Sequence, residues 1–350
     1  MASGQDPERA PLSGRLLATT ILLLAAAALA AGVLCALVGQ VELTWDIFRA
    51  RMLRLCAAAT VGAGLASAGM ALQGLLRNPL AEPYILGISS GAGVGVLAGL
   101  ALAGAAAAPR WAGSAGAAHW VWGPLATPLL ALLGALATCG VVYGIAQRRG
   151  RLNPYVLLLS GVIVNAFNGA VMLAIFMLVP PRTIASFTTW AMGGVSENLA
   201  ITNPLLLAAC AAVVAGGWCV LLARGAAFNA LGLGDDVAGS AGVGVHRLRI
   251  ETFVVVAVMT SAAVMLAGPI GFLGLIVPHV CRLLVGPDHR MLAVASGFGG
   301  AIFLMAVDTA CRLVGAWLRI GELPAGIVTA LAGGPFFIHL LRARTGEEGR

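Results

Sequence analysis

The sequence predicts an all-α, polytopic membrane protein. Hydrophobic residues make up 60% of its 350 positions and charged residues 10%, against about 25% charge in an ordinary soluble domain. A core of this size cannot hide that much apolar surface from water. Apolar stretches near the roughly 20 residues needed to cross the hydrocarbon also recur along the whole chain.

Ten spans follow in order: 15–38, 52–76, 84–105, 122–146, 154–178, 200–223, 250–267, 271–286, 291–314 and 323–341. The eighth is short enough to be partly non-spanning. The first is too long for a cleaved signal peptide, and its polar flank 1–14 contains proline. Three stretches between spans do not cross. Ala106–Trp122 reads as an outer loop with Trp111, Trp120 and Trp122 at the interface. Pro180–Asn198 is too polar to span, and its TIASFTTWAMGG core suits a short helix on the outer face. Ala226–Leu248 is the longest inner loop and carries two short helices, 228–233 and 237–241. Gly234 separates them, and Asp235–Asp236 are expected to cap the second.

An even number of spans puts both termini on one side, and arginine decides which. With the termini inside, Arg9, Arg15, Arg77, Arg148, Arg149, Arg151, Arg224, Arg247, Arg249, Arg290, Arg342, Arg344 and Arg350 are cytoplasmic, with Arg282 near that side. The outer set is only Arg49, Arg51, Arg54, Arg110, Arg182, Arg312 and Arg319. The domain plan is a cytoplasmic tail 1–14, a transmembrane domain 15–342 enclosing the inner loop 226–248, and a cytoplasmic tail 343–350.

All 21 basic residues are arginine. A Walker-type phosphate loop ends in lysine, so any ATP must be bound by another subunit. The seven cysteines fall in apolar stretches without a C-x-x-C pair, as small buried hydrophobes do. No catalytic or metal-binding motif appears, and no basic patch interleaves with aromatics, so nucleic acid is not expected. The net charge of +7 follows from topology.

Four features carry chemistry. Glycines 87, 91, 95 and 99 recur every fourth residue, a smooth stripe that lets another backbone approach; Ser89 and Ser90 beside it can line a polar path. Leu72–Pro83, with two prolines and Arg77, is either an ordinary inner turn or a constriction at the cytoplasmic mouth. Gly268–Arg282 breaks at the outer turn and kinks at Pro278, with His279 and Arg282 one turn apart. Ionisable residues at membrane depth are functional candidates, although Arg282 can snorkel to the headgroups and a lone histidine is commonly a packing residue. Asp308 and Arg312 form an i,i+4 pair on the ninth span. Arg312 joins Arg51 and Arg54 as outer cations that point to an acidic partner.

The motifs RMLRLCAAATVGAGLASAGMALQGLLRNPLAEPYILGISSGAGVG (51–95), LGLGDDVAGSAGVGVHRLR (231–249), GPIGFLGLIVPHVCRLLVGPDHR (268–290) and VDTACRLVGAWLRIGELPAGIVTALAGGPFFIHLL (307–341) resemble the FecCD-type permeases, subunits of ABC importers for iron chelates, haem and vitamin B12. The resemblance runs from about residue 15 to 342. It implies a type II importer permease of ten transmembrane helices, paired with a second copy around a translocation path in the bacterial inner membrane. Two ATP-binding cassette subunits would dock below and bind ATP and magnesium, leaving no cofactor, catalytic residue or metal site in this chain. A periplasmic or lipid-anchored binding protein would dock above and meet Arg51, Arg54 and Arg312. Asn78 and Leu80 match the cytoplasmic gate. Gly87, Ser89, Ser90 and Gly91 match the path-lining segment. Leu231, Gly232, Asp235, Asp236, Gly242 and Val243 match the loop that couples to the ATPase. The cargo expected first is an iron–siderophore, with haem and vitamin B12 as alternatives. Haem permeases often carry arginine five residues before the outer-helix tryptophan; here Ala185 precedes Trp190, with Arg182 further upstream. An ion-coupled secondary transporter is the rival class. It needs ionisable groups near mid-membrane, and His279 is the candidate.

Overall fold

The computed structural model describes residues 14–38, 44–106, 126–148, 151–195, 203–319 and 321–347. Most of the outer loop 106–122, the end of the outer stretch 180–198 and nearly all of the tail 1–14 lie outside the described residues. Among those described are thirteen α-helices: α1 (Gly14–Leu37), α2 (Trp45–Leu76), α3 (Ile88–Ala106), α4 (Ala126–Ala146), α5 (Pro154–Phe176), α6 (Pro181–Ala191), α7 (Pro204–Ala223), α8 (Gly225–Gly232), α9 (Asp235–Ser240), α10 (Val245–Ala267), α11 (Leu273–Val285), α12 (His289–Leu318) and α13 (Ala325–Glu347). A two-residue hairpin, β1 (Gln147–Arg148) with β2 (Arg151–Leu152), joins α4 to α5. The 3₁₀ turn Pro83–Leu86 precedes α3.

Helices α1, α2, α4, α5, α7, α10 and α12 are long and apolar enough to cross a membrane, and α3, α11 and α13 supply three shorter apolar segments. Together they match the ten expected spans. With 13 residues, α11 rises about 20 Å, too little to cross alone. Side-chain caps fix several starts: Thr44 Oγ1 accepts the Ile47 N–H, Asn153 Oδ1 those of Tyr155 and Val156, and Asp288 Oδ1 that of Arg290. One boundary moves outward, because α13 continues to Glu347, into the expected tail 343–350.

Burial ranks the helices. In the apolar stretch of α2, 78% of residues are buried, against 6% in α1. Helix α2 is therefore the central pillar, flanked by α10 and α12, while α1 is peripheral. Small residues make this possible: a Cβ on Gly62 would overlap the Gly300 carbonyl, so α2 and α12 touch backbone to backbone. Outward-facing Leu22, Leu29, Leu133, Leu205 and Leu283 are exposed, an apolar belt suited to lipid.

The segment after α2 re-enters the protein. Arg77 ends α2 in the left-handed region at φ 48°. Ten residues later Gly87 lies against Thr138 and Asn165, which sit about 12 and 16 Å above the inner ends of α4 and α5. Helix α3, expected to line the path, thus starts well inside the span rather than at its inner edge.

Candidate functional site

Three regions collect the residues singled out above. The first is a cavity of about 870 Å³ beside α3 and α5, reached by Tyr84, Ser89, Ser90, Asn165, Met172, Phe187, Trp190 and Pro269, with no charged residue in its lining. Ser90 and the asparagines are held by a neutral network. The Ser90 hydroxyl lies 2.6 Å from Asn165 Oδ1 and 3.1 Å from the Gly87 carbonyl. Asn168 Nδ2 donates to Ser90 Oγ and Thr138 Oγ1 at 3.0 and 3.2 Å. Asn165 Nδ2 donates to the Tyr84 carbonyl at 3.3 Å. The network joins α3, α4 and α5 and satisfies amides that would be costly bare in an apolar wall.

The glycine stripe faces the other way. Gly91 meets Gly134 and Thr138 of α4, and a Cβ there would overlap the Gly134 carbonyl. Gly87 has φ +81° and stands before α3 rather than within it. Gly87 and Gly91 are therefore packing and turn positions, while Ser89 and Ser90 reach the cavity. At the expected gate, Asn78 Oδ1 accepts the Leu80 N–H at 3.0 Å, and its own N–H bonds the Gln73 carbonyl at 3.1 Å. Both residues lie in the connection from α2 to α3.

The second region is the outer end. Of the three cations expected to meet an acidic partner there, Arg51 and Arg54 are buried in this chain. Arg54 is buried, with Nε 2.9 Å from Asp308 Oδ2, Nη2 2.9 Å from Asp308 Oδ1 and Nη1 2.8 Å from Glu322. Arg51 is also buried and donates to the Ala36 carbonyl at 3.1 Å. Arg312 is half-buried, with Nε 3.5 Å from Asp308. A charge inside a helical bundle must find its counter-charge there, and α12 supplies it. Among the described residues, the exposed outer arginines are Arg49, Arg182 and Arg319. The Arg54–Asp308–Glu322 cluster also borders a cavity of about 480 Å³, shared with Ser186, Thr189 and Trp190.

The third region is the inner loop. Helix α8 is fixed in place. Phe228 and Leu231 are fully buried, Phe228 stacks on His289, and Asn229 bonds both Asp288 and the His289 N–H. Leu231 therefore serves the protein's own core. Helix α9 presents Asp235 and Asp236, flanked by exposed Gly232 and Gly242, while Val243 is half-buried. Neither aspartate caps α9, whose N-cap is Gly234 without a side-chain bond. Asp235 instead pairs with Arg77 and Arg249. Leu233 and Val237, which the sequence reading passed over, are exposed apolar side chains on this loop. Their signal was present: apolar residues beside glycine and aspartate in an inner loop have no core to enter.

His279 and Arg282 hold α11 in place. Arg282 Nη2 donates to Gln73 Oε1 at 3.2 Å, Gln73 Nε2 donates to the Gly274 carbonyl, and His279 sits edge-on to Phe336. Among the described residues, no three His, Cys, Asp or Glu side chains are close enough together to hold a metal ion.

Comparison with known proteins bears on the family and the fold. The cobalamin import system permease protein of Halobacterium salinarum is 41% identical over 84% of this chain and 72% of its own length. The hemin transport system permease protein of Yersinia pestis is 34% identical over 87% of this chain and 86% of its own. The iron(3+)-hydroxamate import system permease protein FhuB of Bacillus subtilis is 36% identical over 83% and 70%. A solved structure described as an inward-facing conformation of a metal-chelate type ABC transporter superposes with a TM-score of 0.77 at 25% identity, covering 93% of this chain and 99% of that one. The family description that matches residues 16–343 is the FecCD transport family, and the chain belongs to it.

Proposed function

We propose that this chain is the membrane-spanning permease subunit of an ATP-driven importer for a bulky, uncharged metal chelate, an iron–siderophore in the first reading. The carrying observation is the cavity of about 870 Å³ at α3 and α5, whose lining mixes Ser89, Ser90 and Asn165 with Met172, Phe187 and Trp190 and holds no charge. Such a wall offers nothing to balance the carboxylates of ferric citrate or haem. It suits ferric hydroxamates, whose metal charge is cancelled inside the ligand, and the amide-rimmed corrin ring. The second reading, a corrinoid, is favoured by the 41% identity to a cobalamin permease.

A second copy completes the path. Tyr155, Leu159, Val162, Ile163 and Phe167 leave an apolar face of α5 exposed next to the cavity, and a symmetric partner covers such a face. Two ATPase subunits bind ATP and magnesium and dock on the inner loop through Leu233, Val237 and Asp236. A periplasmic or lipid-anchored binding protein docks outside. Its acidic groups meet Arg49, Arg182 and Arg319 directly, while Arg51, Arg54 and Arg312 shape the surface from beneath. The arginine asymmetry supports a topology with both termini in the cytoplasm of a cell whose inner membrane holds the complex.

The test is uptake into proteoliposomes holding the permease with its ATPase, supplied with the loaded binding protein. Ferric hydroxamate, cobalamin, haem and ferric citrate compete pairwise. Selection of ferric hydroxamate supports the first reading and of cobalamin the second. Preferential uptake of haem or ferric citrate overturns the uncharged-cargo argument.

A further inference from the structure

Resting on the importer reading above, we propose that residues 77–87 form a stiff strut that, together with α10, carries motion of the inner loop to the intramembrane turn bordering the cargo cavity, with Asp235, Arg77 and Glu82 as its positioning residues.

The inner end of the strut is a three-way junction. The Asp235 carboxylate pairs with Arg77, which closes α2, and receives Arg249 Nη2 of α10 at 2.8 and 3.0 Å. One aspartate on α9 therefore grips the first residue of the strut and the first turns of α10 together. Helix α9 hangs between Gly234 at φ 132° and Gly242 at φ 81°, conformations that glycine adopts without strain. Neighbouring α8, by contrast, is fixed through Phe228 and Asn229. The part of the inner loop that can swing is the part that carries Asp235.

The middle of the strut is stiff. Pro79 and Pro83 fix their own φ angles. Asn78 closes a side-chain turn onto the Leu80 N–H, its carbonyl accepts the Ala81 N–H at 3.0 Å, and residues 83–86 form a 3₁₀ turn. A link built this way passes on displacement instead of absorbing it.

The far end is also bonded. The Glu82 carboxylate accepts the Phe272 N–H, and the Tyr84 hydroxyl accepts the Ile270 N–H at 2.9 Å. Phe272 sits in the left-handed region at φ 65° immediately before α11, costly for a non-glycine residue. Glu82 holds it there and places a carboxylate at the positive end of α11. Tyr84 and Pro269 both face the cargo cavity, and the strut runs directly into Ser89 and Ser90. The turn 268–272 is thus reached twice from Asp235: along α10 by chain continuity, and along 77–87 by hydrogen bonds. Two members joined at both ends make a linkage through which a displacement of the near side can reach the far side.

The complete complex of permease, ATPase and binding protein tests this in proteoliposomes. Asp235→Asn and Arg77→Gln should each lower cargo taken up per ATP hydrolysed by about tenfold, the scale of coupling one joint can carry. In Arg77→Gln, which lies outside the loop matched to the ATPase, bound ATPase and its hydrolysis rate should be retained. The double variant should be no worse than Asp235→Asn alone, because both break one joint. Glu82→Ala should behave alike, and the milder Glu82→Gln keeps a shape-matched acceptor should the alanine variant fail to assemble. Hydrogen exchange reads the linkage directly: nucleotide should alter protection at 78–87 and 268–276 in the wild type, and in Asp235→Asn the response at 78–87 should be lost. An unchanged transport ratio in Asp235→Asn and Arg77→Gln overturns the strut while the importer reading stands. So does a nucleotide response at 78–87 that survives in Asp235→Asn, or, in Arg77→Gln, hydrolysis falling in step with uptake as ATPase is lost. A wild-type complex without ATP-driven uptake overturns both.

Discussion

Arg54 enters the interior of α2 as a charge and is matched there by Asp308 and Glu322. Removing one partner of a buried pair strands the other and costs about 3–5 kcal/mol, whereas removing both costs far less. Arg54→Gln should therefore lower the thermal unfolding temperature in detergent strongly, and Arg54→Gln with Asp308→Asn should recover much of the loss. If Arg54→Gln melts like the wild type, the cluster does not anchor α2 to α12. The exposed arginines behave differently. Arg49→Glu with Arg319→Glu should leave unfolding unchanged but weaken docking of the binding protein, and the deficit should shrink as salt rises. Docking that ignores both reversals would remove the outer-cation argument. The sequence showed that arginines cluster near the outer face, and it showed the local Asp308–Arg312 spacing. It hid the stronger partner, because Arg54 and Asp308 are 254 positions apart and only the packing of α2 on α12 brings them together. The same reason hid the pairing of Asp235 with Arg77 and Arg249 behind an expected helix cap.

At the scale of elements, hydrophobic length located the spans, the polarity of 180–198 located α6, and the break at Gly234 in the inner loop located α8 and α9, because those signals are local. Two features escaped. The hairpin at 147–152 is a four-residue pairing inside a polar connection, too short to leave a period. The re-entry of 77–87 depends on Glu82 and Tyr84 reaching the turn 268–272, a contact between distant segments. The glycine stripe was legible as a packing surface but not as facing α4, since small residues announce a close approach without naming the partner. This assignment is testable. Gly91→Leu forces a side chain into the α4 backbone, and overpacking of this kind costs about 1–3 kcal/mol or more. Folded yield and monodispersity should fall sharply. Gly140→Leu is the control, because no neighbouring element comes within 4 Å of a Cβ there, and it should purify like the wild type. Equal behaviour of the two would remove the α3–α4 contact. On the inner loop, Leu233→Asp places a carboxylate where an exposed leucine stands. It should reduce copurification of the ATPase without changing the permease's own melting.

Across the whole molecule, the question is where the work of transport comes from. A secondary transporter must bind and release an ion or proton at membrane depth. Among the described residues, the intramembrane ionisable groups already have structural duties: Asp308 answers Arg54, Arg282 donates to Gln73, Glu82 accepts the Phe272 N–H, and His279 packs on Phe336. The cavity that would carry cargo is neutral. Movement imposed from the inner loop, by contrast, would have two mechanical routes to that cavity under the proposed linkage, through α10 and through residues 77–87. The purified permease reconstituted alone should therefore show no accumulation of ferric hydroxamate or cobalamin above the external concentration, under either a proton or a sodium gradient. Adding the ATPase, ATP and the loaded binding protein should start uphill uptake, and His279→Ala should reduce it no more than lost packing against Phe336 explains. Accumulation by the permease alone that collapses with an ionophore and is abolished in His279→Ala would reverse the assignment. It would turn the paired charges and the inner loop from a coupling device into scaffolding around an ion-driven carrier.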